Sequence, residues 1–192
     1  MTRRGYTFIE LLLVLAILAA LAGLAWPSVV RFSSEQSIKD AAERVRSELD
    51  RTRFRAIDAG LAYQFRYEPN GRRFIAVPAE RDLTQAANTN TAGPMASLPA
   101  FSGEIAEGLT FQPVPGAPLA AEMISADWLA GLSDGVLLGQ ARWSSPVFYR
   151  PDGTGTAAAF RVTDENEQFI ELSIRELTGI ATAGPLRKEA GL

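Results

Sequence analysis

Glu10 stands at the front edge of an apolar stretch in which no residue from Leu11 to Val30, a run of 20, carries a formal charge. A carboxylate at mid-bilayer costs on the order of 2–3 kcal/mol or more and is usually paired, so Glu10 calls for a cation. The other reactive side chains are few in kind. The 192-residue chain has no histidine and no cysteine. That removes the commonest general base and transition-metal ligand, together with disulfides and thiolate chemistry. Catalysis would have to rest on carboxylates, hydroxyls or lysine. No GxSxG, HExxH or paired-carboxylate pattern with a defined partner is present, so the chain reads as no enzyme and no cofactor or metal is expected.

Three clusters still have residue types that suit a ligand. Asp164, Glu165, Asn166 and Glu167 offer the oxygen atoms that calcium prefers, but without the spacing of a known calcium loop they read as a solvated hairpin turn. The segment "PDGTGT" from Pro151 has the glycines of a phosphate loop, yet neither its lysine nor its following helix, and reads as a turn. Arg72, Arg73 and Arg81 are the candidates for contact with nucleic-acid phosphates. A net charge of -3 and a pI near 5.1 give them no global support.

These residues need elements to hold them. At about 1.5 Å per residue, the run from Leu11 to Val30 matches a hydrocarbon core of roughly 30 Å. Arg3 and Arg4 before it leave the N-terminus in the cytoplasm and the rest of the chain across the membrane. A cleaved secretory signal is the rival reading, with small-residue sites at Ala20-Leu21-Ala22 and Gly23-Leu24-Ala25, but the apolar run exceeds the usual 7–15 residues or so. The helix continues past Pro27, which lacks an amide hydrogen and is expected to kink it. Ile38, Ala42, Val45, Leu49, Thr52 and Ala56 then follow in steps of three and four, predicting an apolar stripe. The charges between them read as a solvated face with intrahelical pairs, and Gly60 as the stop.

Beyond Gly60 the period changes. Two aromatic and β-branched runs flank Pro69-Asn70-Gly71, which predicts a hairpin. From about 78 to 135 the chain is rich in small residues and turn formers, an irregular insertion in which "GLTFQPVP" reads as a strand and "LAAEMISADWLAGL" as a short helix carrying Met123, Trp128 and Leu132. Strands follow near Val147–Arg150, Ala158–Val162 and Phe169–Ile174.

"RRGYTFIELLLVLAILAALAGLAWPSV" resembles the class III signal of type IV pilins and type II secretion pseudopilins: a basic leader, glycine, an aromatic residue, a glutamate and an uninterrupted apolar helix in register. The resemblance implies cleavage by a prepilin peptidase after Gly5 and methylation of the new amine on Tyr6, where the family usually has phenylalanine. It implies that Glu10, four residues beyond Tyr6, neutralises the N-terminal amine of a neighbouring subunit. "FYRPDGTG" and the final "ELTGIATAG", with Thr178-Gly179, are similar to the H-type minor pseudopilins, the general secretion pathway protein H and FimT family. The implied fold is α+β and type IV pilin-like: a leader over 1–5, a membrane and filament-core helix over 6–30, its amphipathic continuation over 31–60, and a β-rich periplasmic head over 61–192. The implied role is a structural subunit at or near the tip of a pseudopilus on the inner membrane. Its implied partners are other pseudopilins, and through them the secretin or exported proteins. FimT-like minor pilins that bind DNA give the alternative, with nucleic acid at Arg72, Arg73 and Arg81.

Overall fold

The computed structural model describes residues 8–79, 100–117, 121–124, 126–129 and 132–189; the side chains of residues 22–33, 126 and 127 lie outside that description. Helix α1 runs Phe8–Ala59 without a break. The chain divides into two compact units, Met1–Ser37 and Ile38–Leu192.

In the first unit the described side chains from Phe8 to Leu21 are exposed on every side of the helix. Phe8 is 79% exposed, and even Leu12, the least exposed of the large apolar ones, is 49%. A helix that is apolar all round has no hydrophilic face to turn to water. Among the described residues no helix is long and apolar enough to cross a membrane. The described side chains of this stretch stop at Leu21, short of the roughly 20 residues a span needs.

The second unit opens with the predicted stripe. Ile38, Ala42, Val45, Leu49, Thr52 and Ala56 are all buried, at 0–1% exposure, and Ala41 and Glu48 join them. Burying a leucine such as Leu49 is worth about 2 kcal/mol. The Thr52 hydroxyl is satisfied by donating to the Glu48 carbonyl at 2.7 Å. Gly60, at φ +64°, ends the helix in the left-handed conformation that glycine adopts without strain.

Two antiparallel sheets cover that stripe. β1 (Tyr63–Tyr67), β2 (Arg73–Pro78), β3 (Phe101–Glu104) and β7 (Val147–Tyr149) form one, in the order β3-β2-β1-β7. β4 (Leu109–Pro113), β8 (Ala158–Asp164), β9 (Gln168–Ile174) and β10 (Ala181–Ala183) form the other, in the order β10-β9-β8-β4, with β11 (Arg187–Lys188) also on β9. Alternation sorts their side chains. Phe65, Tyr67 and Phe74 from the first sheet meet Phe111 and Phe160 from the second, with ring centroids as close as 4.7 Å for Tyr67 and Phe160 and 5.4 Å for Tyr67 and Phe111. Offset and tilted rings at these separations add to the area they bury. The fold is α+β, a helix packed on paired antiparallel sheets.

Ile75 points away from that core and starts a second one with Leu129, Leu138, Ala141 and Trp143. Trp143 belongs to β6 (Arg142–Trp143), paired with β5 (Glu122–Met123), and its Nε1 donates to the Leu138 carbonyl in α2 (Gly135–Gly139) at 3.0 Å. The helix expected over "LAAEMISADWLAGL" is therefore not what forms. Its described residues make strand β5 and a 3₁₀ turn over Ala126–Leu129, and Met123 is 69% exposed. Pairing with β6, and an ion pair from Arg66 to Glu122 at 3.5 Å, outweigh the local helical spacing.

Candidate functional site

The N-terminal residues that could direct processing and assembly fall in two groups. Gly5 and Tyr6 lie outside the described residues. Glu10 stands in the first turn of α1, exposed, with exposed Leu13 and Val14 three and four positions on. Pro27 lies within the continuous α1, and its side chain falls outside the description.

The arginines of the first hairpin are engaged with carboxylates. Arg73 donates from Nε and Nη2 to both oxygens of Glu68 at 2.9 Å, bracing the β1–β2 turn. This bidentate pair raises the arginine above its ordinary value. Arg72 reaches Glu104 at 3.2 Å and Glu107 at 3.6 Å. Arg81 lies outside the described residues. Each described arginine of the set thus stands beside an anion, which disfavours phosphate contact at this hairpin.

The acidic tip between β8 and β9 is a hairpin turn with Glu167 at φ +61°. Asp164 accepts from the amides of Asn166 at 2.9 Å and Gln168 at 2.8 Å. Among the described residues no group of three or more acidic side chains is gathered as a metal ion needs.

"PDGTG" is also a turn, and its partner lies in α1. Asp152 accepts from the Thr154 amide at 2.9 Å and hydroxyl at 2.7 Å, which holds its carboxyl below the usual carboxylate range. The Arg53 Nε donates to the Gly153 carbonyl at 2.9 Å. The β9–β10 turn closes on the same point: Gly155 donates to the Glu176 carbonyl at 2.9 Å, and a Cβ on Gly179 would fall 2.5 Å from the Gly153 oxygen. The two turns singled out in the sequence therefore meet, with Arg53 as the strut between them and α1. By its spacing in α1 Arg53 reads as one of the solvated charges. Only its place beside Thr52 on the stripe hinted at another role.

Tyr63 and Tyr149 face each other across β1 and β7, fully buried beneath α1. Burial pushes both phenols up. Arg55 opposes this at Tyr63, whereas at Tyr149 the Asp50 charge adds to it and Arg53 opposes it. What the head brings together is a set of braces between helix, turns and sheets.

Residues 1–26 match the family model described as the Prokaryotic N-terminal methylation motif. No curated protein matches the chain. Among solved structures the chain is similar to the minor pseudopilin EpsH from the type 2 secretion system of Vibrio cholerae. In one structure the identity is 16% and the TM-score 0.43, over 79% of this chain and 94% of that one. In a second the identity is 17% and the TM-score 0.47, over 81% and 98%. It is also similar to the type IV minor pilin FimU of Pseudomonas aeruginosa, at 15% identity and a TM-score of 0.45 over 80% and 92%.

Proposed function

We propose that this chain is a structural minor pseudopilin of a type II protein secretion system, made as a precursor that is cut after Gly5 and methylated on Tyr6. The methylation motif over residues 1–26, running into a helix that continues to Ala59, is the observation that carries this reading. Residues 6–30 serve first as the membrane anchor and then as part of the filament core, with Pro27 as the point where the helix bends. The head lies in the periplasm, at or near the pseudopilus tip. The two turns through which the chain resembles the H-type subunits, held together at Arg53, support that finer assignment.

The mechanism is assembly rather than catalysis. An apolar helix exposed on all sides is stable in lipid, and it is equally stable among similar helices, so moving from bilayer to filament costs it little apolar burial. Glu10 supplies the specific part, since its carboxylate compensates the amine of Tyr6 on an adjacent subunit.

Glu10→Ala tests this. Removing a charge makes insertion easier, so the variant is expected to enter the membrane and be cleaved as usual while crosslinking to neighbouring pseudopilins and protein export both fall. Glu10→Asp should retain part of both. Normal crosslinking and export by correctly cleaved Glu10→Ala would contradict the intersubunit role. Loss of cleavage before any assembly defect would instead make Glu10 a local group, acting on its own helix terminus.

A further inference from the structure

β3 ends the sheet order β3-β2-β1-β7, so one side of it has no strand partner among the described residues. Its register fixes what that side offers. The Ile105 amide donates to the Arg72 carbonyl at 3.0 Å, one pair beyond Glu104 and Arg73. Bonded and non-bonded pairs alternate along an antiparallel ladder, so Phe101 and Gly103 also bond to β2, while Ser102 and Glu104 turn their amides and carbonyls outward. Such a row is a template for another strand. Two other sheet edges are closed. The Thr156 amide donates to the Phe148 carbonyl of β7 at 2.8 Å, and on β4 the Phe111 carbonyl accepts from Asn70 at 2.8 Å while its amide donates to Gly71 at 2.9 Å.

Beside β3 lies α2. A cavity of about 160 Å³ is lined by Arg73, Ser102 and Glu104 of the sheet and by Asp134, Leu137 and Leu138. Apolar cavities of about 150 Å³ take a benzene ring, so this one has room for an aliphatic side chain. A residue added to the sheet opposite Ser102 or Glu104 points its side chain to the same face as theirs, and thus toward the cavity.

Most charges around the cavity are already matched. Arg73 is held by Glu68, and Arg72 by Glu104 and Glu107, three carboxylates to two guanidinium groups. The exposed Asp134 carboxylate makes neither a capping hydrogen bond nor an ion pair among the described residues. The charge left uncompensated at this groove is negative.

We infer that the groove between β3 and α2 is a docking site for an extended segment of another protein, which adds to β3 as a further strand and bonds to the backbone of Ser102 and Glu104. Of its two side chains opposite those residues, one is apolar and seats over Leu137 and Leu138, and the other is basic and faces Asp134. Main-chain bonds supply the affinity of such strand addition, and alternate side chains its selectivity. The site goes beyond the proposed pseudopilin role and does not depend on how the N-terminus is processed.

The probe is a fluorescent peptide, Thr-Leu-Thr-Lys-Thr-Leu-Thr, whose leucines and lysine share one face of a strand. It is added to the full-length chain in neutral detergent and followed by anisotropy. Saturable binding is expected, and the same peptide N-methylated at every residue, with its side chains kept and its strand donors removed, should not bind. Proline is tolerated where an edge-strand amide faces outward, so Ser102→Pro should leave the near-UV melt of the head in place and weaken binding about tenfold or more. Ala183→Pro is the control. The Gly184 amide donates to the Glu171 carbonyl at 2.8 Å, so the Ala183 amide on β10 also faces outward, and blocking it should leave binding unchanged. Asp134→Lys should weaken binding several-fold, and a peptide with glutamate in place of lysine should recover it. If Ser102→Pro fails to fold, Leu137→Asp decides, since Leu137 is 61% exposed and the head tolerates its loss. The inference is overturned by no saturable binding, by equal binding of the N-methylated peptide, by an equal loss in Ala183→Pro, or by indifference to Asp134→Lys. Parent-like binding by folded Ser102→Pro, or by Leu137→Asp in its place, overturns it too. So does a dimer of this chain that Ser102→Pro separates, because the occupant is then a second copy. If Tyr6 proves not to be the mature start while the peptide binds as expected, the pseudopilin reading fails and the docking site stands.

Discussion

Phe8–Leu21 and Ile38–Ala56 are both stretches of α1, yet they meet opposite requirements. In the first, apolar side chains are exposed around the whole circumference. In the second, a stripe of eight residues is buried and most of the others are charged, with Arg46 bonded to Glu43 and Asp50, and Arg51 to Glu48 at 2.5 Å. Neither stretch is made helical by its surroundings alone, since both are built mainly of good helix formers. The difference lies in what each can be dissolved in. An all-apolar circumference suits lipid or other helices, and an apolar stripe flanked by ion pairs suits a sheet on one side and water on the other.

The sharpest way to break the comparison is to put the same charge into both stretches. Leu49→Asp buries a carboxylate in the helix–sheet seam and is expected to destabilise the head by about 4 kcal/mol or more. Leu15→Asp should leave the head within roughly 0.5 kcal/mol of the parent and weaken membrane retention instead. Thermal melting of the full chain in detergent, followed by the near-UV signal of the head, checks both. If Leu49→Asp leaves the midpoint unchanged, the stripe is not a buried seam.

A smaller effect is expected where α1 is tied to the turns. Gly179 is at φ +61° and within 3.2 Å of the Arg53 Nε for any added Cβ, so Gly179→Ala should cost about 2 kcal/mol by strain and by loosening the Arg53 strut. Gly116→Ala, also at positive φ but with nothing within 4 Å, should cost less. Equal losses in the two variants would show that backbone strain alone, and not the meeting of the turns, accounts for Gly179.

The smallest effect concerns pH. The buried phenol of Tyr149 has a folded pKa raised above its ordinary value of 10, so its contribution to stability is complete below pH 10 and is lost as pH rises from there through the raised value. The head should weaken by up to about 1 kcal/mol per pH unit above 10 for each such tyrosine. Tyr149→Phe should flatten that alkaline limb in melts between pH 9 and 11, and an unchanged limb would remove Tyr149 as its source.

The parts of the fold carried by local spacing were legible in the sequence. The stripe from Ile38 to Ala56, the stop at Gly60, the turn at Asp152-Gly153 and the hairpins marked by Asn70-Gly71 and Asp164–Glu167 each follow from a few consecutive residues. What escaped depends on partners distant along the chain. Trp143 is buried because β6 pairs with β5 and covers Ile75, and no neighbouring residue announces that. Arg72 reads as a free cation until β3 brings Glu104 beside it. Arg53 and Glu48 look like members of a solvated face, yet Arg53 braces a turn 100 residues away and Glu48 is buried with one oxygen turned to Arg51.

The most direct measurement for the account as a whole is the intact mass of the full-length chain extracted from its native membrane. A mature protein beginning at Tyr6 and carrying one added methyl group is the result expected of a processed pseudopilin. A chain beginning at Gly23 or Trp26 would make residues 1–26 an ordinary secretory signal, and an uncut chain beginning at Met1 would remove the processing step on which assembly through Tyr6 and Glu10 depends.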